Sequence, residues 1–238
     1  MTDNNKKKNK DSSEAEEAGE DAKTEEKDAN RNIFLFGRLE NEVTLPTIKK
    51  LLRFNDRDGE TPINLYLNSA GGNGYNADAI IAVMNQISAP VNTICLGHAL
   101  SGACEILASG TGHRSSYEFA TLMFHQTLWE ADGDITNLEI QAAQGLRFRE
   151  AQIELLSRCT GKEQTRVRKD IERDYYMSAI EAKEYGIIDE VIKHERKKIV
   201  APGIEAHKES FEKTEHASGH AYADPSQVKA ARKTEAKE

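Results

Sequence analysis

Apolar positions are concentrated in the middle of the chain, where they fall into runs of two alternating kinds. NIFLFGRL (32–39) reads as a short strand stopped by a glycine turn. VTLPTIKKLLRFN (43–55) has helical apolar spacing, and Pro46 is tolerated only in a first turn, which limits where this helix starts. After the turn DRDGETP, INLYLNSAGG (63–72) is an apolar strand running into two glycines. NADAIIAVMNQI (76–87) is an amphipathic helix, and APVNTICLG (89–97) is a strand opening with Pro90. LSGACEILASG (100–110) fits a helix closed by Gly110, and FATLMFHQ (119–126) is another strand. This alternation predicts an α/β fold, a largely parallel sheet covered by helices.

The longest helical stretch is DITNLEIQAAQGLRFREAQIELLSRCTG (134–161), with Asp134 as N-cap and Gly161 as stop. Its apolar positions 138, 142, 146, 153 and 156 form one stripe among many charges. A helix this long and charged is expected to project from the domain and to pack on another subunit. SAIEAKEYGIIDEVI (178–192) reads as a helix stopped at Gly186 and a final short strand.

Composition separates this core from its ends. Residues 1–30 hold no aromatic and no branched aliphatic beyond threonine, so they are expected to form a disordered charged tail. Residues 194–238 are expected to be a second flexible charged tail, leaving a single domain over 31–193. A net charge of −8 argues against general nucleic-acid binding. The N-terminus lacks a signal peptide's apolar region and there is no run long enough to cross a membrane, so a cytoplasmic location is expected. The three cysteines, Cys95, Cys104 and Cys159, show no paired or zinc-binding spacing, and Cys95 and Cys104 read as reduced, buried hydrophobes.

Two predicted strands end in small residues, LNSAGG and CLGHALSG. Ligands of parallel sheets bind at carboxyl strand ends, so both loops are expected to face one crevice. Ser101 would open the following helix, where free backbone N–H groups favour a developing negative charge. Gly71 and Gly72 let the backbone approach a ligand closely. GHALSG is not a Gly-x-Ser-x-Gly elbow, because Ala99 takes the first glycine's place. For a base, His98 is nearest in sequence, while His125 ends an apolar strand at the same sheet edge. Asp170, Asp174 and Asp189 are all candidates for an orienting acid, and spacing does not rank them.

The ordered blocks LYLNSAGG, TICLGHALSGA, LMFHQ and TGKEQTRVRKDIERDYYMSAIEAKEYGIIDEVI resemble the proteolytic subunit family of the ATP-dependent Clp protease, the caseinolytic serine peptidases. The resemblance covers about Asn32 to Ile192 and implies a Clp-protease/crotonase-like fold. It implies Ser101 as nucleophile, His125 as base, Asp174 as orienting acid, and the N–H groups of Gly72 and Gly102 as oxyanion donors. Gly71, Thr127 and Leu128 would line the substrate path. Residues 134–161 would be the family's handle helix, and Arg173 would couple ring contact to site geometry. The implied function is endopeptidase cleavage of unfolded polypeptides inside two stacked rings, seven-membered in the family, with an AAA+ unfoldase ATPase as partner and no metal or organic cofactor.

Several positions depart from the family. Ala70 and Thr127 stand where prolines are usual, Gly102 replaces a methionine, and Asn64 replaces an aromatic of the ATPase-docking groove while Tyr66 is retained. Alternative readings are a phage-type maturation peptidase with a dedicated substrate, a catalytically silent ring subunit, and a crotonase acting on acyl-CoA thioesters.

Overall fold

The computed structural model describes residues 30–195. The tails expected at 1–30 and 194–238 therefore lie outside the described residues, apart from their inner ends. In chain order the elements are β1 (Asn32–Phe36), α1 (Asn41–Arg57), β2 (Ile63–Ser69), α2 (Gly74–Gln86), β3 (Val91–Leu100), α3 (Gly102–Ala108), β4 (Arg114–Tyr117), β5 (Thr121–Phe124), α4 (Ile135–Thr160), α5 (Gln164–Asp170), β6 (Tyr175–Ser178), α6 (Ala179–Tyr185) and β7 (Glu190–Ile192).

Strands β1, β2, β3, β4 and β7 lie side by side in that order, every pair parallel. The expected parallel α/β architecture is therefore present. On the side away from β2, strand β3 serves two neighbours. Its first half, Thr93–Cys95, pairs with β4, and its end, His98–Leu100, pairs with β5. The change of partner coincides with an irregularity in the β2 pairing between Leu67 and Ser69. There Asn68 Oδ1 accepts from His98 N–H at 3.3 Å, and a Cβ on Gly97 would come within 2.7 Å of that oxygen. Glycine is what lets the asparagine amide fill the bulge.

The helices cover the sheet with the faces their apolar spacing dictates. Helix α1 buries Thr44, Thr47, Leu51 and Phe54, and α2 buries Ala77, Ile80, Ile81 and Met84. Asn73 caps α2 by accepting from the N–H groups of Tyr75 and Asn76. Pro46 does not sit in the first turn of α1, as the sequence reading required, because the helix begins at Asn41. The ring deprives only the Glu42 carbonyl of its helical donor, and Glu42 is exposed to water. That makes the misplaced proline tolerable.

Three elements escaped the sequence reading. Strand β4, RSSY, has no apolar alternation, yet Ser115 and Ser116 are buried at its centre. Helix α5 and strand β6 lie in a stretch dense with charge, where Val167, Met177 and the intervening Ile171 are the buried apolar residues. Helix α4 also differs in detail. Asp134 caps it by accepting from Asn137 N–H, and Gly161 ends it in the left-handed conformation at φ 70°. Its apolar stripe divides, however: Ile153 and Leu156 are buried, while Leu138 and Leu146 remain exposed. Only the C-terminal half has core beneath it.

On one face of the sheet an amide ladder crosses three strands. Asn92 Nδ2 donates to Asn64 Oδ1 at 2.9 Å, and Asn64 Nδ2 donates to Asn32 Oδ1 at 3.0 Å. The asparagine at 64 thus gains a hydrogen-bonding role that an aromatic there would lack.

Arg114 joins the ends of three helices. Its Nη1 donates to the carbonyls of Ala108, Cys159 and Gly186, and its Nε and Nη2 grip the Asp189 carboxylate at 3.1 and 2.6 Å. Arg114→Met strands these acceptors and is expected to cost about 2–4 kcal/mol in urea unfolding at neutral pH. The Arg114 guanidinium, helped by the Arg114 backbone N–H, holds the Asp189 carboxyl below its ordinary range. A depressed carboxyl stabilises the fold above its unfolded pKa of about 3.9, and this contribution disappears as pH falls through the lower folded value. The gap between wild type and variant should therefore narrow below about pH 4.

Candidate active site

The site grows from the bend between β3 and α3. Ser101 N–H donates to Met123 O on β5 at 2.8 Å, and the Ser101 carbonyl accepts from Cys104 and Glu105 at 2.8 and 3.3 Å. The main chain therefore starts the helix. Its φ of 54° and ψ of −131° are strained for a residue with a Cβ, at a cost of about 1–3 kcal/mol. The Ser101 side chain caps nothing, so its hydroxyl is available to other groups.

The loop after β2 lies against this bend. At Gly71, with φ +81°, a Cβ would fall 2.6 Å from Leu100 O and 2.8 Å from Ser101 Cβ. Only glycine allows the two backbones this approach. Leu39 N–H donates to Gly71 O at 2.9 Å, and Leu39 O accepts from Asn73 N–H at 3.2 Å, which pins the loop from its other side. The N–H groups of Gly72 and Gly102 donate to no acceptor among the described residues. At Gly102 a Cβ would meet Ala77 Cβ at 3.0 Å and Leu39 Cδ1 at 3.3 Å, so that position is tight even for alanine.

His125 directly follows β5. Antiparallel pairing sets Phe124 opposite Tyr175, with their rings stacked at 5.3 Å, and so places His125 beside Asp174, the residue before β6. His125 Nδ1 lies 3.0 Å from Asp174 Oδ1, and its Nε2 lies 2.9 Å from Ser101 Oγ. The histidine side chain is 16% exposed and the aspartate's 55%. Of the other acids, Asp170 accepts from Arg166 and from Tyr185 Oη, and Asp189 is held by Arg114. His98 makes no side-chain hydrogen bond to Ser101 among the described residues. Of these histidines and acids, His125 and Asp174 are the pair the structure brings into one hydrogen-bonded series with Ser101 among the described residues.

Two polar residues not singled out from the sequence complete the surroundings. Gln152, on the buried face of α4, donates through Nε2 to His125 O at 2.9 Å and to Glu105 Oε1 at 2.5 Å. Its Oε1 accepts from Thr127 N–H at 3.2 Å. The signal was present: Gln152 adjoins Ile153 and precedes Leu156 by four, in phase with the core stripe. Glu105 is the one charge in GACEILA, an otherwise apolar helix, and it is buried. Burial pushes its carboxyl up to about 7; the Asp78 carboxylate adds to this and the Gln152 hydrogen bond opposes it.

A cavity of about 400 Å³ opens beside Ser101, lined among others by Gly72, Gly102, His125, Thr127 and Leu128. Gly71 backs this wall through its contact with the bend. Arg173 is exposed, with Nη1 donating to the Glu172 carbonyl at 3.0 Å. Cys95 and Cys104 are buried free thiols whose pKa values burial raises, Cys95 to about 11. Among the described residues no group of three or more His, Cys, Asp or Glu could hold a metal ion, and no helix is long and apolar enough to cross a membrane.

Comparison with known proteins places this arrangement. The family model described as Clp protease matches residues 17–195. The chain belongs to the Clp protease family. Over 164 residues it is 39% identical to a protein of Frankia casuarinae named ATP-dependent Clp protease proteolytic subunit 2, an alignment covering 68% of this chain and 76% of that one. By this membership the chain is a Clp-family serine protease, a hydrolase of peptide bonds.

The raised Glu105 carboxyl has a consequence for stability. Its folded pKa near 7 exceeds the unfolded value of about 4.3, so folding favours the protonated form. That contribution is complete at low pH and is lost as pH rises through 7. Glu105→Gln, which cannot ionise, should gain in Tm relative to wild type, by a few degrees, between about pH 5 and pH 8. A difference that stays constant over this range would show that Glu105 does not titrate there.

Proposed function

We propose that Ser101, His125 and Asp174 are the nucleophile, base and orienting acid of an endopeptidase. The observation that carries this reading is the unbroken hydrogen-bonded series from Ser101 Oγ through the imidazole to Asp174 Oδ1. Asp174 accepts a hydrogen bond from Nδ1–H, which leaves Nε2 free to take the serine proton as Oγ attacks a peptide carbonyl. The resulting oxyanion is held by the N–H groups of Gly72 and Gly102, which flank the attack site and have no acceptor among the described residues. Imidazolium then protonates the leaving amine, and water, activated by the same base, releases the acyl group. All atoms needed for the cycle belong to protein, peptide and water.

The assembly follows the family reading. The chain forms stacked rings, seven-membered as in the family, which enclose the sites and admit unfolded polypeptide. The exposed N-terminal half of α4 is the handle, and its outward Ile135, Ile140 and Leu146 supply apolar surface for a neighbouring subunit. Arg173, exposed beside Asp174, is suited to carry a ring contact to the acid. An AAA+ unfoldase delivers substrate, as the relative's ATP-dependent name suggests. A silent ring subunit is less well supported, since all three polar groups stand within hydrogen-bonding distance.

Ser101→Ala should abolish labelling by a fluorophosphonate probe and lower peptide hydrolysis by at least about 10⁴-fold, with Tm preserved. Asp174→Asn, which favours the wrong imidazole tautomer, should cost about 10⁴-fold in kcat. Hydrolysis that survives Ser101→Ala would remove the serine from the mechanism.

A further inference from the structure

The cavity beside Ser101 has a floor as well as a mouth. Glu105 follows Ser101 by four residues, one turn along the same helix face, a separation of about 6 Å along the axis. Its carboxyl lines the same cavity as Ser101, Gly102 and His125, yet the residue is only 5% exposed. Oε1 accepts from Gln152 Nε2, the one hydrogen bond to this carboxyl among the described residues, and Oε2 is not among their fully buried orphan atoms, so it keeps contact with the open space of the cavity. Gln152 has no group to offer it. Its amide N–H groups serve Glu105 Oε1 and His125 O, and its oxygen serves Thr127 N–H.

The cavity beside Ser101 is a space open to the side chain that precedes a carbonyl attacked by Ser101. We propose that Glu105 determines primary specificity: its carboxylate receives the cationic head of lysine or arginine, so that the enzyme cuts on the carboxyl side of basic residues. The proposal rests on the serine-peptidase reading above and adds the substrate class. A lysine's four-carbon stem spans one helical turn, and Trp129 and Phe148, with ring centroids 6.3 Å apart, supply apolar wall for it.

The electrostatics favour a cation over an apolar group. From α2, Asp78 borders the adjoining cavity together with Glu105 and raises its proton affinity. From α4, Gln152 is neutral and Arg149 turns its Nη1 to Gln126 Oε1. From the end of β5 comes His125, already engaged by Ser101 and Asp174. Cys104 on α3 stays protonated because burial raises its pKa. Among the described residues lining the two cavities, the one guanidinium is Arg38, whose side chain is 68% exposed at the rim, 3.9 Å from Glu40. A buried carboxylate with no cation of its own is a costly group that a substrate ammonium relieves. Norleucine, with the same stem and no charge, leaves that cost in place.

The test compares fluorogenic peptides that differ only by lysine, arginine or norleucine before the scissile bond, using the full chain and a fluorophosphonate probe. The wild type should favour lysine over norleucine by at least about tenfold in kcat/KM at about pH 8, and the ratio should fall towards unity near pH 6 as Glu105 takes up a proton. In Glu105→Gln the ratio should drop below one and lose its pH dependence, a change that a purely structural role would not produce. Probe labelling together with norleucine preferred at every pH, or an unchanged ratio in Glu105→Gln, overturns the specificity while leaving the serine mechanism standing. Absence of both labelling and hydrolysis overturns the mechanism and the specificity together. Should Glu105→Gln fail to fold, the wild-type ratio and its pH course decide the matter alone.

Discussion

The site depends on one close approach of backbone to backbone. The loop after β2 presses on the β3–α3 bend at Gly71, where a single additional carbon would collide with Leu100 O and Ser101 Cβ. Ser101 holds its strained conformation because its N–H is tied to Met123 O and its carbonyl starts α3. These contacts arrange a hydroxyl and the two amides of Gly72 and Gly102 around one small space. Movement of either segment would separate them. Sheet, helices and caps serve mainly to keep three chain segments in this register.

Much of the architecture was legible in local pattern. Alternating strands and amphipathic helices from β1 to α3 follow from apolar spacing, and the ends of α4 follow from Asp134 and Gly161. What escaped was decided elsewhere in the fold. Strand β4 is polar in sequence, and its serines are inside because β3 and β7 flank it. The stripe on α4 is continuous in sequence, but no core underlies its first half. A one-dimensional pattern cannot say where the opposing surface ends.

The same holds at the site. Ser101 and His125 were visible as small or polar residues at strand ends, whereas Asp170, Asp174 and Asp189 looked equivalent. Long-range pairing separates them: the Phe124–Tyr175 register delivers Asp174 to the imidazole, while Arg166 and Arg114 engage the other two. Glu105 and Gln152 left a plainer trace, polar side chains in phase with apolar ones. Such residues warrant attention because burial without a partner is costly.

Helix α4 is mechanically unusual. Its C-terminal end is clamped, with the Cys159 carbonyl on Arg114 and Leu156 in the core, while its first half is held more lightly, by Gln141 on the Asp132 carbonyl and by Trp129 against Gly145. Gln152 stands near where the clamp begins and holds the main chain on both sides of Gln126. Gln152 joins this helix directly to His125 O and Thr127 N–H, so the helix and the segment that carries the imidazole are tied by hydrogen bonds rather than by packing alone.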